Sequence, residues 1–558
     1  CSSDLVPLNE KYAAGPWRSL DTGFRGEYWS KAIWLFHDSP TLTEAFLQKY
    51  YDSMILQAEH IMECHSAYRY MSNWGVIENH GLFEIGVCLP QSEKTKQFIA
   101  FAVKNLEVQV RMQIMPDGVH WEQSPMYHNE VLHCLLDVIL LAKRNGIALP
   151  DVILRQTEKM AMADVAWLKP DHHIVMMGDS DDVDVRDRIS VAAYLFLNPV
   201  LRFGGFDRLD YESIWDLGMK AGEEYAVMER RKPDFTSLFL EHSGNTYFRS
   251  DWSERANFLH LHSGTMGAGH GHSDKLHIDL VVNGEDVLMD GGRYTYVSGP
   301  KRFSYKDPSG HNTITVDDLP FTVCKDSWEC SKLSQPVKEN FRCMELAEFA
   351  QAGQLGYMDL PGGVYVNRKV VYIKPDLYIL VDEMYTGDCH TYQQYFHFNN
   401  HGAVTLTAPG EKKFPCVAYR GKMAEADFYF VSAQVKAELK RGHIARHYNV
   451  EEENTVCKVT KPGDGFTSLI TVIDAHPGRP LSIEKLPVRS ALKQTDYPET
   501  MAEALKITTG EKEYVVILCH QEVNSPTDLV EADGCMGYGN VIVFDKAEDV
   551  LVGDVLNW

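Results

Sequence analysis

Residues Gly267–Asp290 read GAGHGHSDKLHIDLVVNGEDVLMD. His270 and His272 stand two apart among Gly267, Gly269 and Gly271, where backbone or ligand can approach closely. Leu276, Ile278, Leu280 and Val282 then alternate along one face of a strand. Asn283-Gly284 is a two-residue hairpin signal, and the return strand ends at Asp290. The hairpin predicts that Asp290 comes back beside His272, with His270 facing the other way. An H-x-H pair is ordinarily two exposed loop histidines; the glycines and the hairpin return favour metal ligands here. His311, in Ser309-Gly310-His311-Asn312-Thr313 before the strand Ile314–Val316, is placed to complete a site with His272 and Asp290, or is a loop histidine.

Outward from this hairpin, 558 residues predict two or three domains. The net charge of −24 argues against nucleic acid and anionic membranes as partners, while leaving room for an acidic polysaccharide in a local basic cleft. No stretch reaches the roughly 18 apolar residues of a membrane span. Cys1-Ser2-Ser3 matches the start of a processed lipoprotein and equally an arbitrary fragment start, which is the expectation taken. The 12 cysteines form no C-x-x-C. Cys88, Cys134 and Cys519 lie in apolar runs and read as buried free thiols, which favours the cytoplasm, with the periplasm as the alternative.

Residues 1–216 read helical. A capping box at Thr41-Leu42-Thr43-Glu44 precedes the apolar positions Phe46, Tyr50, Met54, Ala58 and Ile61. Helices follow at Asn79–Cys88, Gln97–Ile114, from Pro125 to Gly146, and at Asp151–Leu168, in the manner of an array or toroid rather than a simple bundle. The acidic run Asp179, Asp181, Asp182 and Asp184 lacks the calcium-loop glycine and glutamate and reads as a solvated loop. The polar stretch 217–236 reads as a linker. Strands dominate 237–485 as an antiparallel β-sandwich, and 486–558 as a separate small sheet.

Two further constellations carry chemistry. Asn73-Trp74 with Glu78-Asn79-His80-Gly81 reads as polar groups opening an apolar helix. They are either capping side chains or donors to a carboxylate, with Trp74 able to stack on a sugar. In Gly118–His128, Tyr127 and His128 occupy the first turn of a helix, whose partial positive charge favours a phenolate or an anion. A tyrosine there is also ordinarily structural.

Together these stretches resemble the heparinase II/III-like polysaccharide lyases over nearly the whole chain. The motifs that carry the resemblance are Asn73-Trp74, Glu78–Gly81, Glu122–His128, His270–Asp274, Asp290–Tyr296 and His311–Thr313, in order. The resemblance implies an α/α toroid followed by antiparallel β-sheets. The family's helices preceding the segment of Trp17-Arg18 and Arg25 are missing, which predicts an incomplete toroid. It also implies β-elimination at a uronic acid: neutralise the carboxylate, remove the C5 proton, protonate the leaving oxygen. Asn79, possibly joined by His80, would neutralise. Tyr127 would serve as base, acid or both, and His270 as the second catalytic group, with Tyr305 a weaker candidate. Trp74, Glu78, Trp121, His128 and Arg293 would contact substrate. His272, Asp290 and His311 would hold one structural divalent metal of the zinc type, bracing the loop of His270. Heparan sulfate or heparin is the first substrate choice. Alginate-type oligosaccharides are the enzyme alternative, and a non-catalytic carbohydrate-binding protein is the alternative class. Oligomeric state is not legible.

Overall fold

The computed structural model describes residues 15–407, 413–510, 512–546 and 551–557. Cys1-Ser2-Ser3 lies outside them. The chain forms two compact units: Cys1–Ala166 with Asp184–Pro233, and Trp167–Val183 with Asp234–Trp558.

The first unit is helical, with Ser19–Leu35, Glu44–Cys64, Asn73–Cys88, Glu93–Gln113 and Pro125–Asn145 as its long elements. Thr43, not Thr41, caps the second, accepting from Phe46 N at 3.3 Å. Pro125 opens the fifth and Gly146 closes it in the left-handed conformation, as the sequence predicts. Asn73–Cys88 begins six residues earlier than its periodicity suggests, capped by Ser72. It is buried on nearly every face, so no polar stripe marks its start. A β-carbon on Gly81 would stand 2.1 Å from Gly23 O, and one on Gly26 2.5 Å from Gly81 O. These glycines let the first and third helices cross almost backbone to backbone.

Among the described residues the second unit has three large antiparallel sheets and two small ones, of three and two strands. A nine-stranded sheet begins with the meander Leu238–Leu240, Asn245–Arg249, Phe258–His262, His277–Val282 and Glu285–Leu288. Its inner residues Leu261, Ile278, Leu280 and Phe396 share one core with Val370, Tyr372, Leu380 and Phe428 of an eight-stranded sheet. That shared core is the sandwich. The other face of the eight-stranded sheet, through Phe349, Val371 and Ile379, packs on Leu505, Val516 and Val543 of a five-stranded sheet. This last sheet starts at Leu481, before the residue 486 expected, and is a third layer of the same unit rather than a body apart. The stretch assigned to a linker contains the helix Met219–Ala226, which belongs to the helical unit. Its charged residues hide a helix because its apolar contacts are few.

The acidic run is the larger correction. Trp167–Val183 leaves the helices and joins the sheet unit, with Ile174–Asp181 buried. Lys169 Nζ meets Asp286 at 2.8 Å and Asp182 at 3.2 Å, and Arg293 makes a two-pronged contact with Asp181. These aspartates are paired with cations inside the protein, which is why their exposed reading fails.

Candidate functional site

The hairpin forms as the sequence predicts. Asn283 and Gly284 both have positive φ, at 50° and 81°. The strand before it turns Ile278, Leu280 and Val282 to the sandwich core. Its other face carries His277 and Asp279 into a buried network. His260 Nδ1 and His277 Nε2 meet Asp279 at 3.0 and 3.1 Å, and Asn245 Oδ1 serves both His260 and His262. Arg368, paired with Asp382, donates to Leu276 O and Asn312 O and so ties the strand start to the segment of His311.

Asp179 is the centre of the site and was missed in the sequence. It is fully buried. His270 Nδ1 meets its Oδ2 at 3.0 Å and His272 Nε2 its Oδ1 at 2.9 Å, while Arg302 grips both oxygens at 2.6 and 2.8 Å. Asp179 N also donates to His270 O. Burial alone would raise this carboxyl. The hydrogen bonds from His270 and His272 and the Arg302 charge outweigh it and hold the group well below the carboxylate range. A β-carbon on Gly271 would lie 1.6 Å from Met266 O, so only glycine permits the sharp path between the two histidines.

His272, Asp290 and His311 come together, with one ligand atom from each within 4.8 Å of the others. His311 Nδ1 meets Asp290 Oδ2 at 2.7 Å. With the ring N–H groups directed at Asp179 and Asp290, the atoms left over are His272 Nδ1 and His311 Nε2. Both are buried without a hydrogen-bond partner. Burial pushes the His272 imidazole down to about 3, so it is neutral as a ligand must be. Two orphaned imidazole nitrogens in a trio completed by Asp290, with Asp179 backing His272, fit a divalent metal of the zinc type. The two histidines two apart converge on Asp179 instead of facing opposite ways; they differ in their ring neighbours, Tyr296 and Trp328 for His270 and His311 for His272.

Other expected residues are occupied differently. Arg293 is spent on Asp181 and on Tyr296 Oη at 2.7 Å. Tyr305 donates to Glu451 at 2.6 Å, and burial with that carboxylate raises its phenol well above its usual range, against a role as base.

In the helical unit Tyr127 is half-buried in the first turn of Pro125–Asn145, as expected. His128 is a correction. It is fully buried, with Nδ1 accepting from His120 N and Nε2 on Met160 O, and burial lowers it to about 3. It supports the loop instead of contacting substrate. Asn79 and His80 are mid-helix and point apart. Asn79 donates to Gly75 O at 2.7 Å and faces Gln109 and Asn105. His80 lies 3.4 Å from Asp137 and 3.5 Å from Glu84. Burial opposes its charge, yet Cys134, Asp137 and Glu84 raise it well above its ordinary value. His80, Glu84 and Asp137 could also hold a cation, but the Lys31 ammonium already stands 2.7 Å from Asp137. Glu78 is buried against Arg69 at 3.2 Å, and Arg69 also covers the Trp74 ring. At the helix start Asn73 donates to both oxygens of Glu122, at 3.1 and 2.8 Å, next to the half-buried Trp121.

Two family models match this chain: Heparinase II/III N-terminus over residues 6–199, and Heparinase II/III-like, C-terminal over residues 232–481. The chain belongs to the heparinase II/III family. Among its curated relatives, a heparin-sulfate lyase of Pedobacter heparinus is 26% identical over 341 residues, covering 58% of this chain and 47% of the relative. One of Bacteroides stercoris is 20% identical over 467 residues, covering 80% and 64%. This heparinase II/III chain therefore spans about half to two thirds of their length. The crystal structure of a heparan sulfate lyase from Pedobacter heparinus matches with a TM-score of 0.69 at 19% identity, over 94% of this chain and 78% of that one. That likeness is one of fold: a helical region followed by antiparallel sheets.

Proposed function

We propose that this heparinase II/III chain is a polysaccharide lyase that cleaves a uronate-containing glycosaminoglycan by β-elimination, with heparan sulfate or heparin as substrate. The observation that carries the reading is His270 held by its Nδ1 on the buried Asp179–Arg302 pair, within a chain that both family models match. A fixed imidazole on an ionised carboxylate is oriented for proton transfer. Tyr127, at a helix start where the dipole favours negative charge, takes the C5 proton or returns it to the leaving oxygen. Carboxylate neutralisation passes from Asn79, which bonds its own helix, to Asn73 at the start of that helix beside Glu122. His272, Asp290 and His311 would hold one zinc-like ion. When bound it supplies rigidity to the loop of His270. Asp179 keeps the His272 imidazole in the tautomer that leaves Nδ1 for ligation.

The test is the ultraviolet absorbance of the unsaturated uronate, screened over heparan sulfate, chondroitin sulfate, hyaluronan and alginate. Absorbance growing on heparan sulfate supports the reading. Absorbance on alginate alone moves the substrate class, and none on any polymer or oligomer leaves a carbohydrate-binding protein.

A further inference from the structure

Cys324 and Cys330 are direct cross-strand partners in the short hairpin Val323–Cys324 and Cys330–Lys332, with their sulfurs 3.1 Å apart. Both are half-buried free thiols. Residues opposite each other in an antiparallel pair have Cα atoms about 4.5–5.5 Å apart, inside the span a disulfide accepts. The turn between them is well braced. Asp326 Oδ1 accepts from Trp328 N and Glu329 N, and Lys325 pairs with Glu329 at 2.6 Å. A metal reading lacks ligands, since among the described residues no third histidine, cysteine or carboxylate joins the two sulfurs in a ligand group.

This hairpin supports the segment of His270. The Trp328 ring stands 5.3 Å from the His270 ring, edge to face, and 5.0 Å from Tyr296. A β-carbon on Gly269 would lie 3.1 Å from the Trp328 ring. Lys306 Nζ bridges the two segments, donating to Gly269 O and Ser327 O. Cys330 Sγ itself touches Met266 Sδ at 3.6 Å.

We propose that Cys324 and Cys330 are a modification site: they close a reversible disulfide across this hairpin and thereby fix Trp328 against His270. The oxidant is a low-molecular-weight disulfide such as oxidised glutathione. The Cys330 thiolate attacks one of its sulfurs and expels one thiolate. Cys324, losing its proton, then attacks the Cys330 sulfur of the mixed disulfide and expels the second. Two protein thiols are oxidised, one disulfide is reduced to two thiols, and the two protons pass to the leaving thiolates. The hydrogen bond from Cys324 lowers the Cys330 thiol, with Lys306 adding to it, which agrees with Cys330 as the attacking sulfur. This pair differs from the apolar-run cysteines Cys134 and Cys519, which are buried.

The full chain is equilibrated with oxidised glutathione, quenched by alkylation and cut after lysine. Lys325 separates the two cysteines, so the disulfide appears as a cross-linked pair of peptides lighter by two hydrogens. Cys324→Ser should instead leave a mixed disulfide on Cys330. Both thiols alkylated after oxidation, or each carrying its own glutathione, overturns the proposal. The effect on His270 rests on the lyase reading. Oxidised enzyme should exceed the reduced enzyme and the Cys324→Ser/Cys330→Ser double variant a few-fold in kcat, with KM unchanged. A disulfide that forms without moving kcat overturns the coupling to His270. Absent turnover in every form overturns the lyase reading and leaves the mass result standing by itself.

Discussion

Asp179 orients two imidazoles at once, so one substitution there acts on both. Asp179→Asn keeps the volume but removes the charge that Arg302, His270 and His272 share. Loss of a carboxylate behind a ligating histidine costs roughly 10–100-fold in metal affinity, and turnover should fall with it. A zinc-competition titration and kcat on the same protein check this; unchanged affinity would remove Asp179 from the metal site. His272→Ala should release the metal and lower Tm, while His270→Ala should keep the metal and lose turnover. Wild-type protein purified without added metal should carry close to one zinc-like ion by elemental analysis. Tyr127→Phe should lower kcat about 10²–10⁴-fold if its phenol moves a proton, with binding retained. A parallel pair, Asn73→Ala and Asn79→Ala, separates the two amides. The first should cut kcat, whereas the second should act mainly on the melting curve, because Asn79 is buried among Gly75, Asn105 and Gln109.

At the level of elements, the hairpin that returns the chain to Asp290 depends on Gly284. Its φ is +81°, and an added β-carbon would lie 2.1 Å from Glu254 O. Gly284→Ala should cost at least about 1–3 kcal/mol in left-handed strain alone, with steric displacement added. Urea denaturation measures this, and a change of only a few tenths would mean that the turn relaxes freely. The hairpin itself was legible because Asn-Gly between alternating apolar residues has few other readings. The first six residues of the helix Asn73–Cys88 were not, because burial on nearly all sides erases the periodicity that marks a helix face.

Across the whole molecule, two of the large layers of the sheet unit are tied by a buried cluster. His520 meets Glu383 of the eight-stranded sheet at 2.7 Å and Glu503 of the five-stranded sheet at 3.2 Å. Burial opposes the charge on both carboxyls, but Lys369 and His520 hold Glu383, and His520 and Lys485 hold Glu503, each at about 2. The stability they contribute is full above their ordinary value of 4.5 and is lost as pH falls from there towards 2. His520 is raised despite burial, by the two glutamates, so its share is present below 6.5 and fades as pH rises through its higher folded value. His520→Ala leaves two buried carboxylates facing each other and should cost about 3–5 kcal/mol. Urea midpoints measured from pH 3 to 8 should show the acid-side slope of the wild type reduced in this variant; identical profiles would place the pH dependence elsewhere.

Local pattern determined much of this protein. The Asn283-Gly284 turn, the proline-led helix of Tyr127, and the convergence of His272, Asp290 and His311 were all readable, because each rests on short-range spacing or on one strand return. Motif order was enough to name the family. What only tertiary structure decided is the company each side chain keeps. Asp179 looked solvated because its neighbours in sequence are acidic, and its true partners lie 91 to 123 residues away. Asn79 and His80 are adjacent in the chain, yet a helix turns successive residues by about 100°, so one faces Gln109 and the other Asp137. A sequence records which groups are available for pairing; burial and long-range contact decide which of them are paired.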